Sequence, residues 1–290
     1  MQFDIRLRIA YDYDTPAAVH RTLLRLQPRI CPGQNLVFSN VTATPAASSR
    51  AERIDFFGNK LSELVHERRL ERVEFTFEGR VQRDAKGGRL DLSCPLAGMA
   101  AEVGAVQSIA NWSPHHFLGK SPRIALEPDI AAFARELVTA DMSVLAAVKT
   151  VSQAVHQHFS FDPSATDVST TTLDAFHAKR GVCQDLSHVM ISALRSLGIP
   201  AGYVSGFLRT DPPPGQPRLE GADAMHAWVR AWCGAETGWI EIDPTNDTLA
   251  ANDHISVAIG RDYSDVAPVK GALKSEGGHQ TAHQVDVIPV

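Results

Sequence analysis

Cysteine is scarce: four residues in a chain of 290, at Cys31, Cys94, Cys183 and Cys233. No two form a CxxC pair, and four thiols cannot staple a fold of this size, so a disulfide scaffold is excluded. They read as free thiols of a reducing compartment, which makes the cytoplasm the expected location. Positive charge is not in excess either. Lys and Arg total 28 against 33 Asp and Glu, giving a net charge of -5 and a pI near 6.2. Without a basic stripe, nucleic acid is not an expected partner. No run approaches the roughly 18 apolar residues of a membrane helix, so no membrane partner is expected. Met1 to Arg6 enters a strand pattern without the basic and apolar segments of a signal peptide. Internal repeats and low-complexity tails are absent too.

What remains is an ordinary globular composition, 44% hydrophobic and 21% charged, long enough for two domains. Phe3, Ile5, Leu7, Ile9, Tyr11 and Tyr13 alternate with mostly polar residues, the period of a half-buried strand. Short runs at Leu36-Val37-Phe38, Val73 to Phe77 and Leu90-Asp91-Leu92 repeat that texture, with a hairpin loop expected at Asp84 to Gly88. Pro16 to Gln27 fits a short helix or a strand. This predicts a sandwich-like β domain over residues 1–110. From 111 to 290 a second domain is expected. Helices are predicted near Pro128 to Val138, from Asp141 with that residue as N-cap, and over Thr172 to Lys179. Strands are predicted at Gly202 to Leu208, Ala224 to Trp232, Trp239 to Asp243 and Val285 to Ile288, and Pro212 to Gly215 reads as a stiff loop tip. Helices followed by consecutive strands argue for α+β with an antiparallel sheet.

The chemistry centres on Cys183. Leu186, Val189, Met190, Ala193, Leu194 and Leu197 fall at i, i+3, i+4 and i+7, predicting a helix with one buried face that Gly198 and Pro200 end. Cys183 opens it, where unpaired N–H groups and the macrodipole favour a thiolate. Alone it reads more readily as a small buried hydrophobe. His226 and Asp243, however, lie on two strands joined by the turn Cys233 to Gly238. A turn centred between Gly234 and Ala235 sets them directly opposite, and a slide of one residue makes them diagonal neighbours. Both registers keep them on one face, within reach of a carboxylate–imidazole hydrogen bond. Such a trio performs acyl transfer: the thiolate attacks a carbonyl, the histidine moves the proton, and the carboxylate fixes the imidazole. Oxyanion donors are sought among the backbone N–H groups at the helix start.

Three stretches, GVCQDLSHVMISALRSLGIPAGYVSGFL, MHAWVRAW and GWIEIDPTN, resemble the signatures of the transglutaminase-like superfamily, in a bacterial branch described as cysteine proteases. Tyr11-Asp12-Tyr13, Leu24 to Arg29, Asp55 to Asn59, His254-Ile255 and Gly260 to Tyr263 resemble that branch's flanking regions. The resemblance implies a papain-like core with Cys183, His226 and Asp243 as its triad and no cofactor. It also implies a peptide or protein substrate, within a proteolysis or peptide-tagging system. Neither the upstream tryptophan nor the calcium loop of animal transglutaminases is present, which favours hydrolysis of an amide over crosslinking. Transfer to an amine by the same trio, and a catalytically silent scaffold, are the alternatives. Gln184, His188, Asp262 and Tyr263 are candidate substrate contacts. The pairs His115-His116 and His156-x-His158 lack the further ligands of a metal centre, so no metal is expected.

Overall fold

The structure, a computed structural model, describes residues 1–84, 90–167, 169–210, 221, 223–274 and 277–290. In chain order the strands β1 (Gln2–Leu24), β2 (Gln34–Thr44), β3 (Ser49–Ile54), β4 (Lys60–His66) and β5 (Leu70–Arg83) come first. The helices α1 (Met99–Ala105), α2 (Pro128–Glu136) and α3 (Val144–His158) follow. Then come β6 (Ser160–Phe161), α4 (Thr172–Ala178), β7 (Arg180–Gly181), α5 (Cys183–Ser196), β8 (Ala201–Leu208), β9 (Ala224–Trp232), β10 (Trp239–Asp243), β11 (Thr248–Leu249) and β12 (His254–Gly260). The chain closes with α6 (Tyr263–Val266), β13 (Val269–Lys274) and β14 (His279–Pro289).

The alternating N-terminal pattern makes one long strand. The segment from Pro16 onward, open between helix and strand in the sequence, continues β1 to Leu24. The first half of β1 pairs with β5 and β14 and the second half with β4 and β13, all antiparallel, so a single strand links both halves of a seven-stranded sheet. Phe3, Ile5, Leu7 and Ile9 are buried against Phe75 and Phe77. The closing strand expected at Val285 to Ile288 forms, but it joins β1 and not the second sheet, because Val285 and Val287 enter the same core as Ile5 and Leu7.

The α+β architecture expected from the sequence is present. Its antiparallel sheet runs β11-β10-β9-β8-β12, with α5 packed on β8 and β9. Helix α5 is buried on nearly every side, beyond the one apolar face its periodicity predicts. Its polar residues are absorbed: Ser192 Oγ donates to Ala125 O at 2.7 Å, and the Arg195 guanidinium donates to the carbonyls of Gly119, Ala201 and Arg261. Each fully buried Val, Leu or Met side chain of this helix contributes about 1.5–3 kcal/mol of transfer free energy. Gly198, at φ +78°, ends the helix, with Ile199 N–H bonding Leu194 O at 3.0 Å.

Two expectations fail locally. Helix α3 is capped by Ser143, whose hydroxyl accepts from Ala146 N–H, and not by Asp141. Leu90 to Leu92 forms no strand, since Asp91 takes hydrogen bonds from Ser93 and from the Ser143 hydroxyl, making the segment a loop against α3. The loops expected over 84–88 and 212–215 lie, from residue 85 and entirely, outside the described residues.

Strand β12 bounds the second sheet, and its free edge is buried. Buried edge groups need partners, and side-chain amides supply them here. Gln34 donates to Ser256 O at 2.8 Å and accepts from Ser256 N–H at 2.9 Å. Asn59 does the same with Ile259, at 2.8 and 2.9 Å. Each amide imitates a strand neighbour. The N-terminal strands and the sheet that carries His226 are thereby joined through side-chain amides bonded to the β12 backbone.

Candidate active site

The site begins at a backbone constraint. Gly181 ends the two-residue strand β7, paired in parallel with β6, and Asp162 N–H bonds Gly181 O at 3.0 Å. Val182 is the N-cap of α5 and Cys183 its first residue. Asp185, two residues on, turns back so that its Oδ2 accepts from Val182 N–H at 2.8 Å and from the Thr166 hydroxyl at 2.7 Å. Burial pushes its carboxyl above the usual range, and those two bonds pull it back. A Cβ on Gly181 would stand 2.5 Å from Asp185 Oδ2. Gly181→Ala is therefore expected to displace this carboxylate, lower stability by about 1–3 kcal/mol in denaturant unfolding and slow Cys183 alkylation. An unchanged midpoint and rate would refute that account.

Strands β9 and β10 pair with Trp239 opposite Trp232 and Ile242 opposite Val229. Extended by one residue, this register sets Asp243 beside Trp228, two positions along from His226. The diagonal arrangement is the one adopted. His226 Nε2 and Asp243 Oδ2 are 2.7 Å apart, and Asp243 is fully buried. The other ring nitrogen of His226 makes no bond to Asp243, and Cys183 is among the groups close enough to favour the charged imidazole. Burial pushes the His226 imidazole down, but the hydrogen bond to Asp243 and the neighbouring Cys183 and Asp243 outweigh it and raise it to about 10. Asp243 responds in kind. Burial would raise its carboxyl, yet hydrogen bonds from His226 and His254 hold it well below the usual range.

The remaining candidates separate. Gln184 is half-buried beside Cys183. His188, which the spacing turned away from the leucine stripe, is buried against Tyr203 with ring centroids 5.1 Å apart. Its Nε2 accepts from Tyr263 N–H at 3.2 Å, and burial lowers it to about 4. Asp262 is fully buried, and its oxygens accept from Arg123 and Ser264 N–H, each at 2.8 Å. Neither His188 nor Asp262 has a surface left for substrate; His188 ties α6 to α5, and Asp262 caps α6 and ties it to the segment before α2. Tyr263 is half-buried, edge-on to Tyr203.

His254 was missed as part of the site. Its Nε2 lies 3.1 Å from Asp243 Oδ2, the oxygen that also meets His226. The continuous run His254 to Gly260, bounded by Asn252-Asp253, has the length and composition of a buried strand, and that signal could have placed it. His226, Asp243 and His254 also form the one metal-like trio found among the described residues, with ligand atoms within 4.8 Å. Those atoms are engaged with one another by hydrogen bonds, and a cation would have to displace both imidazole protons. The other histidine pairs are tied to backbone: His115 and His116 meet the carbonyls of Val106 and Ile109, and His156 and His158 those of Thr245 and Phe176.

Comparison with known proteins gives two family matches along the chain. Residues 131–244 match the family model of the transglutaminase-like superfamily, and residues 3–82 match that of the bacterial transglutaminase-like N-terminal region. An uncharacterized protein of Mycobacterium tuberculosis is 31% identical over 279 residues, covering 91% of this chain and 85% of its own. One of Mycobacterium leprae is 31% identical over 291 residues, covering 96% and 94%. A crystal structure from Cytophaga hutchinsonii, described as a candidate cysteine protease, superposes with a TM-score of 0.74 at 19% identity, covering 99% of this chain and 90% of that one. At that identity the likeness is one of fold. No helix among the described residues is long and apolar enough to cross a membrane.

Proposed function

The chain belongs to the transglutaminase-like superfamily, and on that footing we propose that it is a thiol-dependent hydrolase of amide bonds in peptides or proteins, acting through Cys183, His226 and Asp243. The observation that carries the reading is the buried imidazole of His226, bonded to Asp243 at 2.7 Å and favoured in its charged form by Asp243 and Cys183. In the reaction the Cys183 sulfur attacks the carbonyl carbon and the C=O electrons move to oxygen. The imidazolium of His226 then gives its proton to the leaving nitrogen as the C–N bond breaks, leaving a thioester. Water attacks the thioester while His226 takes its proton, and the sulfur departs with the carboxylic acid released.

The first N–H groups of α5, those of Cys183 and Gln184, have no intrahelical acceptor and are suited to the oxyanion. Of the aromatic residues upstream, Phe159 is buried and Phe161 exposed, and neither carries an N–H on its ring. Backbone donors therefore take the role that a tryptophan has in animal transglutaminases. All four cysteines are free thiols, in keeping with a reducing compartment.

The test traps the intermediate. With an activated peptide ester, intact-protein mass is expected to rise by one acyl group located on Cys183, and the adduct is expected to decay in water alone to the free acid. An adduct that persists until an amine is added would make the enzyme an acyltransferase. No adduct on Cys183 would remove the catalytic reading altogether.

A further inference from the structure

We propose that His254 is a positioning residue for Asp243, a second donor that fixes the carboxylate and ties it through β12 to the N-terminal strands; the inference rests on the triad reading above. The hydrogen bonds assign the proton. Ala251 N–H donates to His254 Nδ1 at 3.3 Å, so that nitrogen is the acceptor and the proton sits on Nε2, 3.1 Å from Asp243 Oδ2. Oδ2 then takes three donors, His226 Nε2 at 2.7 Å, His254 Nε2 and Asn246 Nδ2 at 2.7 Å, while Oδ1 takes Thr245 N–H at 2.8 Å and Asn246 N–H at 3.3 Å. Loop donors alone hold Oδ1. Two rings, from β9 and from β12 on either side of β8, join the Asn246 amide at Oδ2.

His254 itself has little freedom. The Trp228 ring stands edge-on at 5.2 Å, and its indole N–H is committed to Glu241 Oε2 at 2.8 Å. The charged or titratable groups around the ring are Asp243 on β10, His226 on β9 at 6.3 Å between centroids, and Glu241 beyond Trp228. Two residues further along β12, Ser256 is gripped by Gln34 and also accepts from Arg29 N–H at 2.9 Å, and Asn59 grips Ile259. The N-terminal strands therefore set where β12 lies, β12 sets where the His254 ring lies, and the ring sets the carboxylate. An apolar residue at 254 would remove one of the five donors to the carboxylate and leave more of its charge on His226. Glutamine keeps an acceptor and a donor in comparable places.

The experiment is the pH profile of Cys183 alkylation by iodoacetamide, from pH 5 to 12, on the full chain and on His254→Gln and His254→Phe. In His254→Phe the limb at which His226 loses its proton is expected to move up by about one pH unit, tenfold in the balance between imidazolium and imidazole, with a lower plateau rate. His254→Gln is expected to follow the parent profile. A merely structural role would lower the unfolding midpoint and leave the profile in place. If the phenylalanine variant does not fold, histidine ring NMR of the parent decides: a slowly exchanging proton on His254 Nε2 supports the assignment, and a proton on Nδ1 overturns it. A Cys183 with no His226-dependent limb in the parent overturns the triad and this inference with it. A parent limb that stays unmoved in His254→Phe overturns the inference alone.

Discussion

Cys183→Ala is expected to abolish amide hydrolysis, by about 10⁴-fold or more, while shifting stability by no more than about 1 kcal/mol. The two numbers have separate causes. No other residue can form the thioester, and what survives is substrate binding and oxyanion stabilisation, which in triad enzymes leave only a small remnant of the rate. The thiol itself is half-buried at a helix start whose cap is supplied by Asp185, so alanine removes one sulfur without opening the core. Turnover of a peptide substrate and a urea melt, run on the same preparation, check both. The same loss of turnover from Cys31→Ala or Cys233→Ala would show that the nucleophile is elsewhere.

Asp243→Ala is expected to be damaging on both counts. Its carboxylate is fully buried and accepts five hydrogen bonds from His226, His254, Thr245 and Asn246, so alanine strands several buried donors at a cost of several kcal/mol. Activity should fall by about 10²–10⁴-fold, as the imidazole loses its orientation and the charge that supports its protonated form. The pH dependence has a definite sign. Asp243 is held below its unfolded value of about 3.9, so its contribution is present above that pH and fades as pH falls through the folded value. His226 is raised to about 10, so its contribution is complete below about 6.5 and is lost as pH rises through 10. The stability gap between parent and Asp243→Ala should therefore be widest between about pH 4 and 6.5 and narrow on both sides. A gap constant from pH 3 to 10 would mean that the cluster is not charged as described.

Local pattern carried far in this chain because most of the site is built from local devices. Cys183 sits at a helix start that the Gly181 stop and the leucine spacing announce. His226 and Asp243 sit on strands joined by a short turn, and the sequence narrowed their relation to two registers. What it could not hold is long-range. The turn centre that selects the diagonal register depends on how β9 packs against α5 and β8 and β10 against α3. His188 faces away from its helix's apolar stripe, and in a surface helix that would mean solvent; here α6 covers that side, so the residue is structural. Strand β14 looked like part of the last sheet by order alone, and its place beside β1 is fixed by a core assembled from residues more than 200 positions apart. His254 escaped notice for the same reason. It lies 11 residues after Asp243, and only the sheet order that places β12 at one edge, clamped by Gln34 and Asn59, brings the two together.

The central claim is that Cys183 and His226 work as a pair, and the most direct measurement needs no substrate. The native protein is alkylated with a limiting thiol reagent at about pH 6, the label is located by peptide mass, and the reaction is repeated on His226→Ala. An ordinary thiol, with a pKa near 8.5, is almost wholly protonated there and reacts slowly. Fast labelling confined to Cys183, and lost in His226→Ala, is the predicted result. Labelling of Cys183 that is slow in the parent, or equally fast without the imidazole, would contradict it.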